Sequence, residues 1–188
     1  AGGGLGKLAL VEIAAKLWRD QSYYDELGRG TYERDGGGVL LTQAIHTIDL
    51  ALSLTGPVTR VQAMTATTPL HRMASEDYAV AGLTFASGAV GSLIASTATF
   101  PPGQETITLH YENASLRHGR HSLDVSWRDG RSDSETFGSS EPGEGGPVVA
   151  KHELHRDIIE DFVDALRDGR TPIVTGREAL LPHRLIDA

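Results

Sequence analysis

Several stretches of the chain carry the apolar pattern of a β-strand. Residues 8–18 are apolar enough for a buried strand, and residues 58–65 alternate, with Val58, Val61 and Ala63 as inward candidates. Ala86-Ser87-Gly88 predicts a hairpin turn, and Arg128-Asp129-Gly130 predicts another turn. The remaining predicted strands are residues 78–85, 89–97, 106–111 and 122–127.

The most distinctive helix begins after three glycines, Gly36-Gly37-Gly38, and ends at Gly56-Pro57, where the proline cannot continue it. Its apolar face packs inward, and its polar stripe spans roughly 60° of arc at about 100° per residue. This stripe contains no Lys, Arg or Glu, the residues that usually dominate a solvated helix face. It therefore predicts the lining of a cleft, formed by Thr42, His46, Asp49 and Ser53.

Two further helices are predicted near the end of the chain. The first covers residues 151–167, and the second begins at Arg177 and contains Pro182. Polar residues in segments 19–35 and 138–147 predict loops. The apolar face of the first of these helices is predicted to consist of Leu154, Ile158, Ile159, Phe162 and Leu166.

The order of these elements predicts an α+β fold. Consecutive strands joined by short turns favour an open, mainly antiparallel (mixed) twisted sheet with helices packed on one face. The other face must meet solvent or a partner. Small apolar residues in the strands favour a partner, so we expect a homodimer through Ala79, Ala81, Ala89, Ala95 and Ala98.

Composition narrows the class of protein. The 188 residues correspond to one domain of ordinary size, and the net charge of −8 leaves no basic footprint for nucleic acid or an anionic membrane. No run of about 18 apolar residues is present, so we expect no membrane span. The chain has no cysteine, which fits a cytoplasmic protein. Its glycine-rich start and uncapped end lead us to interpret it as part of a longer protein.

His46 is the strongest candidate for proton transfer, because an imidazole titrates near neutrality. Asp49 follows three residues later on the same face and could orient it. The preceding glycines would let a ligand approach the start of the helix. The alternative, a surface histidine without a catalytic role, stays open.

Other polar residues have two interpretations each. His152 and His155 could join His46 and Asp49 around a metal, but a buried, hydrogen-bonded His155 is the commoner arrangement, so we predict no metal site. The loop residues Arg19, Tyr24, Arg29 and Thr31 could bind a polyhydroxylated or anionic substrate, or be ordinary surface residues. Glu76 and Asp77 are interpreted as surface or capping carboxylates, and the remaining histidines, at positions 71, 110, 118, 121 and 183, as surface groups.

An ordered set of motifs runs through the chain. Its first members are Tyr23-Tyr24, Arg29-Gly30-Thr31, Gly36-Gly37-Gly38, the run from Gln43 to Asp49, and Leu54-Thr55-Gly56. The set continues with Glu76-Asp77, the hairpin at residues 85–89, Asp161-Phe162, residues 168–172 and the helix at 179–188. In this order the motifs resemble the C-terminal domain of the Gfo/Idh/MocA oxidoreductases over essentially all of residues 1–188.

The resemblance implies a substrate-binding and oligomerisation domain. An N-terminal Rossmann domain that binds NAD or NADP, and a Glu-Lys-Pro motif with a catalytic lysine, would belong to a half that this chain lacks. We therefore expect no cofactor-binding residues here and no activity from residues 1–188 alone. The full-length protein would oxidise a sugar, a cyclitol or a related hydroxy compound and form a homodimer or higher oligomer.

The resemblance also implies roles for individual residues. The family's histidine matches His46, the general base toward a substrate hydroxyl, with Asp49 tuning it. Many members have an aspartate where this chain has Thr42, which can hydrogen-bond but carries no charge. Gln43, Arg19, Tyr24 and Arg29 would face the substrate. Two alternatives are a ligand-binding or regulatory protein without catalysis, and a metal-dependent hydrolase.

Overall fold

The computed structural model describes residues 4–137 and 152–188, which form an eight-stranded sheet with helices. The strands are β1 (Leu8–Lys16), β2 (Val58–Ala66), β3 (Tyr78–Phe85), β4 (Val90–Ser96), β5 (Thr106–Tyr111), β6 (Ala114–His118), β7 (Ser122–Trp127) and β8 (Ser132–Thr136). The helices are α1 (Gln21–Tyr24), α2 (Tyr32–Asp35), α3 (Ile45–Thr55), α4 (His152–Asp168) and α5 (Gly176–Ile186), with a π-helical turn over Leu40–Ala44 before α3.

The strand order is β2-β3-β4-β1-β5-β6-β7-β8. Two antiparallel meanders, β2–β4 and β5–β8, flank β1, which runs parallel to β4 and antiparallel to β5. The predicted α+β class with an open mixed sheet is therefore confirmed. The predicted hairpin is also present: the Gly88 amide donates to the Phe85 carbonyl, and Gly88 adopts a φ of 87°.

The sequence pattern missed the strands β6 and β8. Each has only five residues, and β8 is polar throughout (Ser-Asp-Ser-Glu-Thr). Strand β8 is exposed at every position, so it has no buried face that would produce an alternation. Strand β6 does alternate, with Ala114 and Leu116 on its inner side, but two apolar residues are too few to predict a strand. Both strands form through pairing with β5 and β7.

Helices α3 and α5 pack on the same side of the sheet, as predicted. In β1, Val11, Ile13 and Ala15 are buried under α3, whose Ile48 and Ala51 are fully enclosed. Helix α5 closes the core beside α3, and its Pro182 is buried, which fits the predicted helix around this proline. This packing fixes α3, the helix that carries His46.

The expected dimer face was assigned to the wrong side of the sheet. Ala79, Ala81, Ala89 and Ala95 are 0–8% exposed and belong to the core on the helix-covered side. The opposite side carries the alternate residues of the strands, including Glu12, whose carboxylate lies 3.0 Å from the His110 imidazole. Dimerisation stays a prediction without support from these alanines.

Helix α4 occurs where the sequence predicts it, but its apolar face does not pack on the sheet. Ile158, Ile159, Phe162 and Leu166 are 52–69% exposed, and the side chain of Leu154 lies outside the described residues. The neighbouring segment 172–174 lines a groove along this face. The amphipathic pattern thus predicts the helix correctly but not what covers it.

The predicted loops have mixed outcomes. The segment at 19–35 contains the short helices α1 and α2, and the predicted loop at 138–147 lies outside the described residues. One helical run, Tyr32–Thr55, has the length and hydropathy (1.3) of a membrane span by composition alone. Gly36 interrupts this run in a left-handed conformation (φ 78°), and Ile48, Ala51 and Leu52 pack into the core.

Candidate functional site

The candidate residues gather at one edge of the sheet, near the start of the α3 helix. Register pairs Lys16 of β1 with Ser96 of β4, and Ile107 of β5 with His118 of β6. The C-terminal ends of β1, β4 and β6 and the beginning of β5 therefore meet at this edge. The loop that follows β1 carries Arg19, and the π-helical turn carries Gln43.

A carboxylate closes the N-terminus of this helix. Glu76 accepts hydrogen bonds from the backbone amides of Gly38 (3.0 Å) and Leu40 (3.2 Å), and its own carbonyl accepts from Val39 (2.8 Å). A Cβ atom on Gly38 would lie 1.9 Å from the Glu76 carbonyl oxygen. The expectation that the glycines admit a ligand is therefore wrong: Gly38 makes room for Glu76, which is the capping carboxylate predicted from sequence.

The polar stripe was predicted to line a cleft; its four members are exposed, His46 lines a groove described below, and the members are not linked to each other. Thr42 donates to the Gly38 carbonyl one turn earlier (2.7 Å), a back-bond within the helix. His46 and Asp49 are exposed, and within residues 4–137 and 152–188 no hydrogen bond joins them. The proposed catalytic role of His46 and the orienting role of Asp49 stay predictions.

A polar cluster brings together most of the predicted substrate-facing residues. The Arg19 guanidinium donates to the Gln43 amide oxygen (2.8 Å), and the Gln43 amide nitrogen donates to the Tyr23 hydroxyl (3.3 Å). The Arg29 guanidinium lies 4.1 Å from the centre of the Tyr23 ring and pairs with Glu26 at 2.7 Å. Sequence reasoning missed Tyr23, although the adjacent Tyr23-Tyr24 pair pointed to it.

Tyr24 faces the interior beside the cluster rather than Gln43. Its hydroxyl lies 2.7 Å from the Thr97 hydroxyl, and its ring centre is 4.9 Å from that of His71. Burial raises the pKa of Tyr24 above its usual value, against a smaller lowering effect of the Thr97 hydrogen bond. Tyr24 is therefore held as a neutral hydroxyl, and its substrate contact stays a prediction.

The interpretation of His71 and Asp77 as surface groups is wrong. Their side chains are 1% and 0% exposed, and His71 Nδ1 lies 2.7 Å from Asp77 Oδ2. The other ring nitrogen of His71 lies 2.9 Å from the Arg19 carbonyl oxygen, and the Asp77 carboxylate also accepts from the Thr68 amide (2.7 Å). This buried pair fastens the loop that carries Arg19 to the β2–β3 connection. The two residues are six positions apart in an irregular loop, where no helical or strand periodicity marks a pair.

A groove of about 170 Å³ adjoins His46 on its β5 side. Thr47 donates to Glu105 Oε1 across it (2.8 Å). His118, predicted as a surface group, is half-buried in this groove. The lining residues are His46, Thr47, Leu50, Glu105, Thr106, Ile107, His118 and Arg120.

The histidines considered for a metal do not form a cluster in the described parts of the chain. Across residues 4–137 and 152–188, the structure has no group of three His, Asp or Glu residues placed to hold a metal ion. His155 is exposed rather than buried, and the side chain of His152 lies outside the described residues.

The chain is similar to a known family of proteins in sequence and in fold. The model of the Gfo/Idh/MocA C-terminal domain matches residues 1–117. The WlbA dehydrogenase from Bordetella pertussis, solved with NADH and UDP-GlcNAcA, is 30% identical over 97% of this chain and 51% of its own, with a TM-score of 0.74. The corresponding enzyme from Chromobacterium violaceum, with the same ligands, is 29% identical over 98% of this chain and 52% of its own (TM-score 0.73).

A levoglucosan dehydrogenase complexed with NADH and levoglucosan is 24% identical over 98% of this chain and 57% of its own, with a TM-score of 0.74, and shares the fold. The chain spans about half the length of these structures. No curated protein sequence gives a significant match.

Proposed function

The chain belongs to the Gfo/Idh/MocA family through its C-terminal domain, and from this premise we propose that it is the substrate-binding and oligomerisation part of an NAD(P)-dependent oxidoreductase. The substrate class is a sugar, a cyclitol or a related hydroxy compound. The observation that carries the proposal is the exposed His46, held on a core-packed helix beside the cluster of Arg19, Gln43 and Tyr23.

His46 is proposed as the general acid/base. Helix α3 is anchored by Ile48 and Ala51, so the imidazole is presented from a rigid element. Within residues 4–137 and 152–188 it has no hydrogen-bond partner, which leaves a ring nitrogen available for a substrate hydroxyl. It would take the hydroxyl proton during oxidation and return it during reduction. A proton-transfer group of this kind contributes about 10²–10⁴-fold in rate.

Substrate orientation is assigned to the neighbouring polar cluster. The Arg19–Gln43–Tyr23 network presents N–H and O–H groups on three different segments of the chain. Such a network can hold several hydroxyls of a sugar at once. Thr42 is less available, since its hydroxyl already donates to the Gly38 carbonyl.

The nicotinamide cofactor, when bound, accepts the hydride that leaves the substrate carbon. The helix start in this chain does not fit a cofactor phosphate, because the Glu76 carboxylate occupies the amides of Gly38 and Leu40. The chain spans about half of the matched dehydrogenase structures, so we assign cofactor binding to the other half of such a protein. On this proposal residues 1–188 are inactive alone, and the protein is cytoplasmic.

Nucleotide sugars and anhydrosugars are the first substrates to test. The two WlbA structures contain UDP-GlcNAcA, and the 30% identity of the first extends over nearly all of this chain. The complete protein would be mixed with NAD⁺ or NADP⁺ and a panel containing UDP-GlcNAcA, levoglucosan and an inositol, and cofactor reduction would be followed by absorbance. We expect reduction with at least one member. Binding of a panel member without reduction of either cofactor would contradict the proposal.

A ligand-binding member without catalysis is the second candidate. It is favoured by the Thr42 back-bond and by the lack, in the described residues, of any hydrogen bond between His46 and Asp49. Such a protein would bind a panel member but reduce neither cofactor, so the same experiment separates the two candidates.

A further inference from the structure

We propose that the groove between α3, β5 and β6 is a subsite for an anionic group, a carboxylate or a phosphate, carried by the substrate. The inference rests on the proposed function, since it assigns a specificity role beside the proposed acid/base His46. The residues that would recognise the anion are His118 and Arg120, which no sequence motif singled out.

The groove is part of the same surface as His46. Its floor is the beginning of β5, where Ile107 pairs with His118 of β6, and its wall is the α3 helix at His46, Thr47 and Leu50. A volume of about 170 Å³ holds a group the size of a single sugar ring or smaller. A substrate group bound in it therefore lies directly beside the His46 imidazole.

The chemistry of the lining favours a negatively charged group. His46, His118 and Arg120 all line the groove, and in the described ranges none of the three has a hydrogen-bond or ion-pair partner. The one carboxylate of the groove, Glu105, is engaged by the Thr47 hydroxyl at 2.8 Å. With His46 assigned to proton transfer, the groups left to donate to anionic oxygens are the Arg120 guanidinium and the His118 imidazole.

An arginine suits this role better than a lysine, whose ammonium group acts as a point charge. The guanidinium presents its N–H groups in a planar fork that matches a carboxylate or phosphate bidentately. His118 is kept in place by the Phe137 ring, whose centre is 5.6 Å from that of the imidazole. The apolar walls formed by Leu50 and Ile107 reduce the solvation of the bound group and strengthen its pairing with Arg120.

The strand also offers a matched control. Side chains alternate along β6, so Arg117, between the inward Leu116 and His118, faces the opposite side of the sheet. Arg117 and Arg120 are both exposed, and replacing either with alanine changes the net charge equally. Only Arg120→Ala removes a group from the groove.

Binding of UDP-GlcNAcA to the complete protein would be measured by calorimetric titration at physiological salt, without any turnover. We expect Arg120→Ala to weaken binding by about tenfold to a hundredfold, the range for a charge-assisted pair. Arg117→Ala should remain within about twofold of the wild type, since Arg117 lies on the opposite side of the sheet and does not line the groove. Equal effects of the two substitutions would overturn the subsite, as would a wild-type protein that binds no anionic probe.

Three further probes identify the anion and separate this inference from the proposed function. If Arg120→Ala weakens the binding of glucuronate, the group bound in the groove is a carboxylate. If it weakens the binding of UDP, the group is a diphosphate. Glucose should bind the wild type and Arg120→Ala equally. The subsite would be overturned if Arg120→Ala bound all the anionic probes as tightly as the wild type does. If the wild type and Arg120→Ala then reduced the cofactor equally well with a neutral sugar, the oxidoreductase proposal would still stand.

Discussion

Replacing Gly38 by alanine should destabilise the protein strongly, because the backbone of Glu76 occupies the space of the added methyl group. The new Cβ would lie 1.9 Å from the Glu76 carbonyl oxygen and 2.5 Å from the Glu76 Oε2 atom. A carbonyl oxygen in the chain cannot rotate away as a side-chain end can, so the β2–β3 connection and the helix start must separate. That movement breaks the bonds from the Gly38 and Leu40 amides to Glu76.

We estimate a loss of about 3 kcal/mol in the free energy of unfolding, the upper part of the range for overpacking. Gly37 provides the control, because it is adjacent, also buried, and receives the same substitution. A Cβ on Gly37 would meet only the Leu41 side chain, at 3.3 Å. With a small shift of Leu41, the change should be within about 1 kcal/mol, partly offset by the reduced entropy of the unfolded chain.

Urea unfolding followed by circular dichroism would compare the two variants with the wild type. The midpoint of Gly38→Ala should fall clearly below that of Gly37→Ala. Equal midpoints for the two variants would refute the reasoning, since they would mean that the close approach of Glu76 does not require a glycine at position 38.

Three further changes test the surroundings of the site. Glu76→Gln removes the charge and leaves one acceptor oxygen for two amides, since the Gly38 and Leu40 amides bind different carboxylate oxygens, and should cost about 1–3 kcal/mol in urea unfolding. Asp77→Asn keeps one acceptor oxygen where the carboxylate uses two, for the Thr68 amide, the Thr68 hydroxyl and His71, and should cost about 1–3 kcal/mol by the same assay; no measurable loss would contradict a buried pair. Burial raises the pKa of Tyr24 in the folded protein. Its contribution to the free energy of unfolding is therefore present at pH values below the pKa of the unfolded state, and is lost as the pH rises through the pKa of the folded state. Ultraviolet titration of the wild type against Tyr24→Phe should show this phenol ionising above the usual tyrosine range, and ionisation within that range would contradict its burial.

Local patterns predicted the parts of the fold that have a buried face. The strands β3, β5 and β7 begin and end where the alternation does, and the α3 helix ends at its Gly-Pro signal. The parallel position of β1 between the two meanders has no local signal. The alternation showed that Ala79 and Ala95 share a face, but not which face the helices cover.

The sequence pattern identified candidate site residues that lie on one helix, but missed those that come together through the pairing of strands. His46 follows from the polar pattern of one helix, whereas Gln43 and its neighbour Arg19, joined by a 2.8 Å hydrogen bond, were named together only through the family resemblance. By contrast, His118 and Arg120 reach His46 only because β6 pairs with β5. The pairing of His71 with Asp77 likewise depends on a loop conformation that composition does not encode.

The π-helical turn was not predicted either. A π turn adds a residue to the helical repeat, so positions before Ile45 are rotated relative to the regular 100° spacing. The arc calculated for Thr42 and His46 from a regular helix therefore does not hold across residues 40–44.

The central claim is that His46 transfers the proton in an NAD(P)-dependent oxidation, and turnover of His46→Gln tests it most directly. In the complete protein, with a substrate identified by cofactor reduction, we expect kcat to fall by about 10²–10⁴-fold while KM changes little. His183→Gln, an exposed histidine on α5, should retain the wild-type kcat. A kcat for His46→Gln equal to that of His183→Gln would contradict the account.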